Sequence, residues 1–297
     1  MPLGYFLIFL SATGFGCMPI FVIYAYENNV SLTTILFLRF AFASIFFFLY
    51  LLVKVKKWRI TKHHFVSFLV LGGLLYTLQS YFYFSSVKYI PASLAALLLY
   101  LYPVFVAILS SVVNKEKVSK QLLISILISL SGIAFVLGSP TENINFTGIL
   151  LAVAAAVVYS FYIIFGGRVV SQVSPVITSA FIALFASLSF LIGGLYTGTL
   201  HFAFAPMGWL SIAGIALFSS VIAMLTFFAG MNITGPTKAS ILSMVEPVIT
   251  VGLSTLMFQE KMSMLQMIGG LIVLAGAVLV VLSREKTPRT EGTTLSG

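Results

Sequence analysis

Apolar residues run along this chain in long unbroken stretches, ten in all, separated by short polar turns. They cover about 3–24, 32–53, 65–86, 92–113, 121–138, 147–167, 175–197, 208–230, 236–257 and 264–283. A helix rising 1.5 Å per residue crosses the hydrocarbon of a bilayer in roughly 20 residues. Each stretch therefore predicts a membrane-spanning helix, the fifth a short one. Strands of a β-barrel would alternate apolar and polar positions instead. The polar residues inside the stretches keep helical spacing. Tyr76, Gln79, Ser80 and Tyr83 follow i, i+3, i+4, i+7 and share one face of span 3. Ser243, Glu246, Thr250 and Ser254 do the same in span 9. Tyr159 and Tyr162 fall in span 6, and Tyr100 and Tyr102 in span 4, where Pro103 frees a backbone carbonyl.

The chain also matches itself, without gaps, at a shift of 144 residues. Leu97 to Val104 falls on Ile241 to Val248, so that Tyr102-Pro103 aligns with Glu246-Pro247. Glu116-Lys117-Val118-Ser119 falls on Glu260-Lys261-Met262-Ser263, and Gly132 on Gly276. Gly4 with Gly148, Phe21 with Phe165, Thr34 with Thr178 and Phe84 with Phe228 hold the register early on. Five spans per copy is an odd number, so the second copy must cross the membrane in the opposite sense. Inverted repeats of this kind characterise secondary transporters, which bind substrate between the repeats near the bilayer midplane. The expected architecture is an all-α membrane protein of ten transmembrane helices. Residues 1–140 form one five-helix repeat, 141–284 the inverted second, and 285–297 a disordered cytoplasmic tail.

Composition agrees: 60% of residues are hydrophobic, 8% are charged and the mean hydropathy is +1.12. The net charge of +9 raises the question of nucleic-acid binding, which its distribution answers. With both termini in the cytoplasm, twelve Lys and Arg fall inside and only Lys88 and Lys261 outside, while Arg39 and Lys238 lie within spans. This is the positive-inside pattern of membrane topology, not a nucleic-acid footprint. Lys238, at the start of span 9, is placed to snorkel toward water. The single cysteine, Cys17, permits no internal disulfide. The first apolar run is too long for a signal-peptide core.

Leu38-Arg39-Phe40, the Tyr102-Pro103 and Glu246-Pro247 pairs, the two Glu-Lys-x-Ser turns and the glycine sixteen residues after each turn glutamate together resemble the EamA-like ten-span group of the drug/metabolite transporter superfamily. The resemblance covers residues 3–283. It implies a multi-pass carrier of the bacterial inner membrane, often an exporter of amino acids or related metabolites. Its two halves would surround a cavity lined by spans 1, 3, 4, 6, 8 and 9.

The candidate substrate-binding residues are Tyr76, Gln79, Ser80, Tyr83, Tyr102, Tyr159, Tyr162, Ser243 and Glu246. Serine and threonine at such places also serve helix packing, and tyrosines at span ends form interfacial belts. Glu246 sits about ten residues into span 9, near the midplane. A carboxylate there must face a cavity or a partner. It is the candidate coupling site, exchanging a proton for substrate, with a structural acid as the competing view. Arg39 is its possible partner; substrate carboxylate binding and a purely structural role are the alternatives. Pro103, Pro247, Glu116 and Glu260 are assigned to structure, with Ser119 and Ser263 as helix caps.

An intramembrane enzyme is disfavoured, because the chain has no Asp, one Cys and no His within a span, so no acid–base pair or metal site can be assembled. A channel is disfavoured for want of a selectivity segment or charged rings. The expectation is a secondary carrier, without cofactor or metal, monomeric or homodimeric. It would export small amphipathic metabolites such as amino acids by alternating access, with protons as a possible coupling ion. Export of cationic drug-like compounds, with Glu246 as counter-charge and tyrosines giving cation–π contacts, is the alternative.

Overall fold

Long apolar runs bounded by capping residues fold as helices, and the protein is all-helical. A computed structural model describes residues 2–55, 60–86, 89–90, 95, 98–113, 118–137, 145–258 and 264–282. Glu116, Glu260, Ser263 and the tail 285–297 lie outside these, as does the side chain of Ser254. Ten helices follow in order: α1 (Pro2–Glu27), α2 (Leu32–Lys54), α3 (Lys62–Ser86), α4 (Tyr102–Val113), α5 (Lys120–Leu137), α6 (Phe146–Val170), α7 (Pro175–Thr197), α8 (Pro206–Thr234), α9 (Pro236–Leu242, Ser243–Val245 and Glu246–Phe258) and α10 (Met264–Leu282). Six of them, α1, α2, α3, α6, α7 and α8, are long and apolar enough to cross a membrane by themselves. Leu52, Val53, Ile192, Leu195, Leu256 and Leu271 are exposed on the outside of the bundle, as the lipid-facing surface of a membrane protein is.

The helix starts follow local chemistry. The side chains of Ser31, Thr61 and Asn145 accept the backbone N–H of Thr34, His64 and Thr147, and Ser119 accepts that of Leu122, satisfying donors that an isolated helix leaves open. Pro175, Pro206 and Pro236 occupy the first turn of α7, α8 and α9, where a missing N–H costs nothing. Gly235 alone joins α8 to α9, at a φ of +82° that other residues adopt only under strain.

The 144-residue shift becomes a packing rule. A Cβ on Gly4 would meet Thr234 at 2.6 Å and Ile233 at 2.9 Å; one on Gly148 would meet Ile90 at 2.7 Å and Tyr89 at 2.9 Å. Each contact is the other displaced by one repeat, so α1 lies on α8 as α6 lies on α3. The rule holds again between α5 and α10. Gly132 abuts Gly269 and Val273, and Gly276 abuts Ser125 and Ser129. Equivalent helices run antiparallel: along α2 and α7, Phe40 stacks with Phe190 at 6.2 Å and Phe48 meets Phe181 edge-on at 5.1 Å. The second repeat is the first turned over.

Two features that shape the centre escaped the sequence reading. Leu69–Tyr76 in α3 and Ile215–Ile222 in α8 are π-helical, and the two segments nearly coincide under the repeat shift. Both sit where another helix comes close. Gly72 touches the Ile182 backbone of α7, and the Phe218 carbonyl would lie 2.6 Å from a Cβ on Gly14. π-helical turns are rare and often accompany function. Lys238 is only 5% exposed, so it is held inside the bundle rather than snorkelling; the tight α8–α9 junction at Gly235 folds the start of α9 inward.

Candidate functional site

Helix α9 changes character just before Glu246. Pro247 has no N–H to offer the Ser243 carbonyl, four residues back. The N–H of Glu246 bonds that carbonyl instead, one residue early, and Ser243–Val245 tightens into a 3-10 turn. The matching place in the first repeat is looser still. Ahead of Pro103, Tyr100 and Leu101 form a turn, with i→i−3 bonds from Leu101 to Leu98 and from Val104 to Leu101. Two proline-loosened helices thus come together, carrying Tyr102 and Glu246 at equivalent positions.

Around them lies a cavity of about 230 Å³. Its walls come from α1, α2, α3, the approach to α4, α6, α8 and α9. Helix α2, absent from the expected lining, enters through Leu36 and Arg39. Tyr76, Gln79, Ser80, Tyr83, Tyr102, Tyr159, Ser243 and Glu246 all line it, so both polar stripes read from the sequence converge on one space. Tyr162 does not reach the main cavity. It is 3% exposed and lies in a smaller recess beneath, with Ser219, Ser220 and Met224. Phe15, Met18, Phe84, Leu99 and Phe227 line the main cavity as well. These are apolar residues that periodicity could not separate from ordinary core.

Tyrosines dominate. Tyr83, Tyr100, Tyr102 and Tyr159 line the same cavity as Glu246. Glu246 is half-buried and lines the cavity. The rings form a connected layer: Tyr102 meets Tyr159 edge-on at 4.8 Å, Tyr159 stacks with Tyr162 at 5.7 Å, and Tyr162 meets Tyr76 at 5.4 Å. The Tyr102 hydroxyl donates to the Ser240 carbonyl at 3.2 Å.

The hydroxyls of α9 serve packing as well as lining. Ser243 donates to the Ala239 carbonyl at 3.0 Å, and Thr250 to the carbonyls of Gly16 and Glu246 at 3.2 and 3.1 Å. In α3, Ser80 donates to Gln79 Oε1 at 3.3 Å. Arg39 stands apart. It forms no ion pair with a carboxylate among the described residues, and its two hydrogen bonds go to the Met18 sulfur and the Tyr76 hydroxyl, each at 2.9 Å.

The family model for EamA-like transporters matches residues 2–138 and again residues 146–282, in register with the repeat. The chain belongs to the EamA-like transporter family. It is therefore a membrane transporter of the drug/metabolite superfamily rather than an enzyme, with a small-molecule substrate and the lipid bilayer as its partners. Among curated relatives, this EamA protein is 26% identical over 231 residues to the uncharacterized transporter YyaM of Bacillus subtilis (strain 168), covering 75% of each chain. It is 28% identical over 222 residues to the aromatic amino acid exporter YddG of Ancylobacter novellus, covering 72% of this chain and 75% of that one. A solved crystal structure shares the fold with a TM-score of 0.81 over 94% of this chain and 98% of its own, at 22% identity.

Proposed function

We propose that this EamA transporter is a secondary carrier that exports small amphipathic metabolites, amino acids among them, by alternating access between its two repeats. The observation that carries the reading is the tyrosine-walled cavity with a single acid, Glu246, at the crossing of the two loosened helices. Its aromatic walls suit an apolar side chain, and its few polar groups fix a head group. Taking a carboxylate out of water costs several kcal/mol per ion unless it is compensated. A proton and a substrate ammonium can each compensate Glu246, and exchanging one for the other is the coupling reaction. The described cavity residues of α1, α2 and α3 belong to the halves of those helices nearest the α1–α2 and α3–α4 loops. With both termini in the cytoplasm, this half faces outward, and the tyrosine layer closes the path inward. The protein would reside in the bacterial inner membrane. A likeness to the aromatic amino acid exporter supports the substrate class.

The deciding experiment is counterflow in proteoliposomes preloaded with amino acids, comparing the wild type with Glu246→Gln from acid to mildly alkaline pH. Saturable exchange whose pH dependence disappears in the variant supports both carrier and coupling site. Exchange that keeps its pH dependence removes Glu246 from coupling and leaves the carrier.

A further inference from the structure

Arg39 is the second charged group on the cavity wall, and its surroundings are unusual for a buried guanidinium. The residue is 3% exposed. Nη1 donates to the Met18 sulfur at 2.9 Å, a weak acceptor, and Nη2 to the Tyr76 hydroxyl at 2.9 Å; Nε is buried without any partner. The guanidinium carbon lies 4.3 Å above the Phe40 ring, which is in turn held edge-on by Tyr76 at 5.0 Å. A guanidinium carries five donors in a planar fork suited to two parallel bonds with a carboxylate. Here most of that capacity is unspent, no carboxylate among the described residues pairs with it, and the residue faces the cavity.

The alternative of an internal salt bridge with Glu246 is not realised: both residues line the same space without forming an ion pair. One cavity thus holds a cation and an acid on separate walls. We infer that Arg39 is the carboxylate subsite of the cavity, so that the transported class is a zwitterion whose carboxylate rests on Arg39 and whose ammonium approaches Glu246. Met18 and Tyr76 position the fork, and a carboxylate takes the donors they leave open. The inference rests on the carrier reading given above but goes further, because a cationic solute would find Arg39 repulsive. It excludes the cationic compounds that Glu246 alone would admit.

The test uses three probes of one shape on the purified full-length protein, with binding followed by thermal stabilisation and calorimetry. L-Phenylalanine carries both charges, L-phenylalaninamide lacks the carboxylate, and 3-phenylpropanoate lacks the ammonium. The amide should bind roughly 10- to 100-fold more weakly than the amino acid, the range set by losing hydrogen bonds to a charged group. 3-Phenylpropanoate should retain measurable binding. Arg39→Gln should erase the preference of acid over amide, and Arg39→Lys should keep part of it. The wild-type probe series stands even if neither variant folds. Equal binding of amide and amino acid, a preference retained in Arg39→Gln, or no binding of any probe at millimolar concentration overturns the inference. Counterflow separates the two readings. Arg39-dependent binding without exchange would sink the carrier and spare the subsite, whereas exchange indifferent to the amide substitution would do the reverse.

Discussion

The two repeats place equivalent residues around the same centre and equip them differently. Phe15 and Tyr159, Tyr83 and Phe227, Leu99 and Ser243, and Tyr102 and Glu246 are pairs under the 144-residue shift, and both members of each pair line the cavity. Away from these four pairs the likeness fails. Arg39, Gln79, Ser80 and Tyr100 line the cavity, while their counterparts Ala183, Ala223, Met224 and Met244 are apolar and do not. The backbone obeys the twofold; the polar chemistry does not. The cavity therefore draws most of its polar lining from the first repeat, which makes a polar vestibule on that side.

The comparison can be broken most forcefully at its most asymmetric pair. Glu246→Tyr would make the second repeat copy Tyr102, and exchange in proteoliposomes should fall to background. Tyr102→Phe, which removes only a hydroxyl bonded to the Ser240 carbonyl, should instead leave exchange measurable and cost about 1 kcal/mol of stability.

Next come the glycines. Gly132→Val would drive side-chain atoms against the backbone of Gly269 and Val273 and should cost about 1–3 kcal/mol or more by overpacking. Gly193 in α7 has nothing within 4 Å of its Cβ position, so Gly193→Ala should leave the melting temperature level or raise it. Thermal unfolding in detergent compares the two. Equal losses would mean that α5 and α10 do not pack as described.

The smallest expected effect sharpens the vestibule argument. In a Cys17→Ser background, a cysteine replacing Ser80 should react with a water-soluble maleimide, while one replacing Met224 should stay protected. Adding substrate to drive turnover should then raise labelling of the Met224→Cys protein. Labelling that never differs between the two positions would contradict a cavity biased to one side.

Much of this arrangement was legible from residue order. A helical stripe at Tyr76, Gln79, Ser80 and Tyr83 can point only one way, and the structure brings it onto the cavity with Glu246. The repeat was legible because glycines at close contacts, Gly4 with Gly148 and Gly132 with Gly276, stand in register with a run of matched polar and aromatic residues. Other features were not. The inward turn of Arg39 depends on Met18 and Tyr76, from two other helices, and one helix's pattern cannot report a neighbour. Tyr162 shares a face with Tyr159 yet falls below the cavity floor, because depth along the membrane normal decides what a residue touches. The π-helical turns arise where backbones approach through Gly14 and Gly72, and no local preference of Leu69–Tyr76 announces them.

The seam between α5 and α10 has one more consequence. Gly132 meets Gly269 and Val273 while Gly276 meets Ser125 and Ser129, which is how two identical subunits touch across an axis, each offering the same patch. A polypeptide of half this length carrying such a helix would find its partner in a second copy of itself, inserted upside down. Joined in one chain, the two halves are free to differ, as Tyr102 in one and Glu246 in the other do.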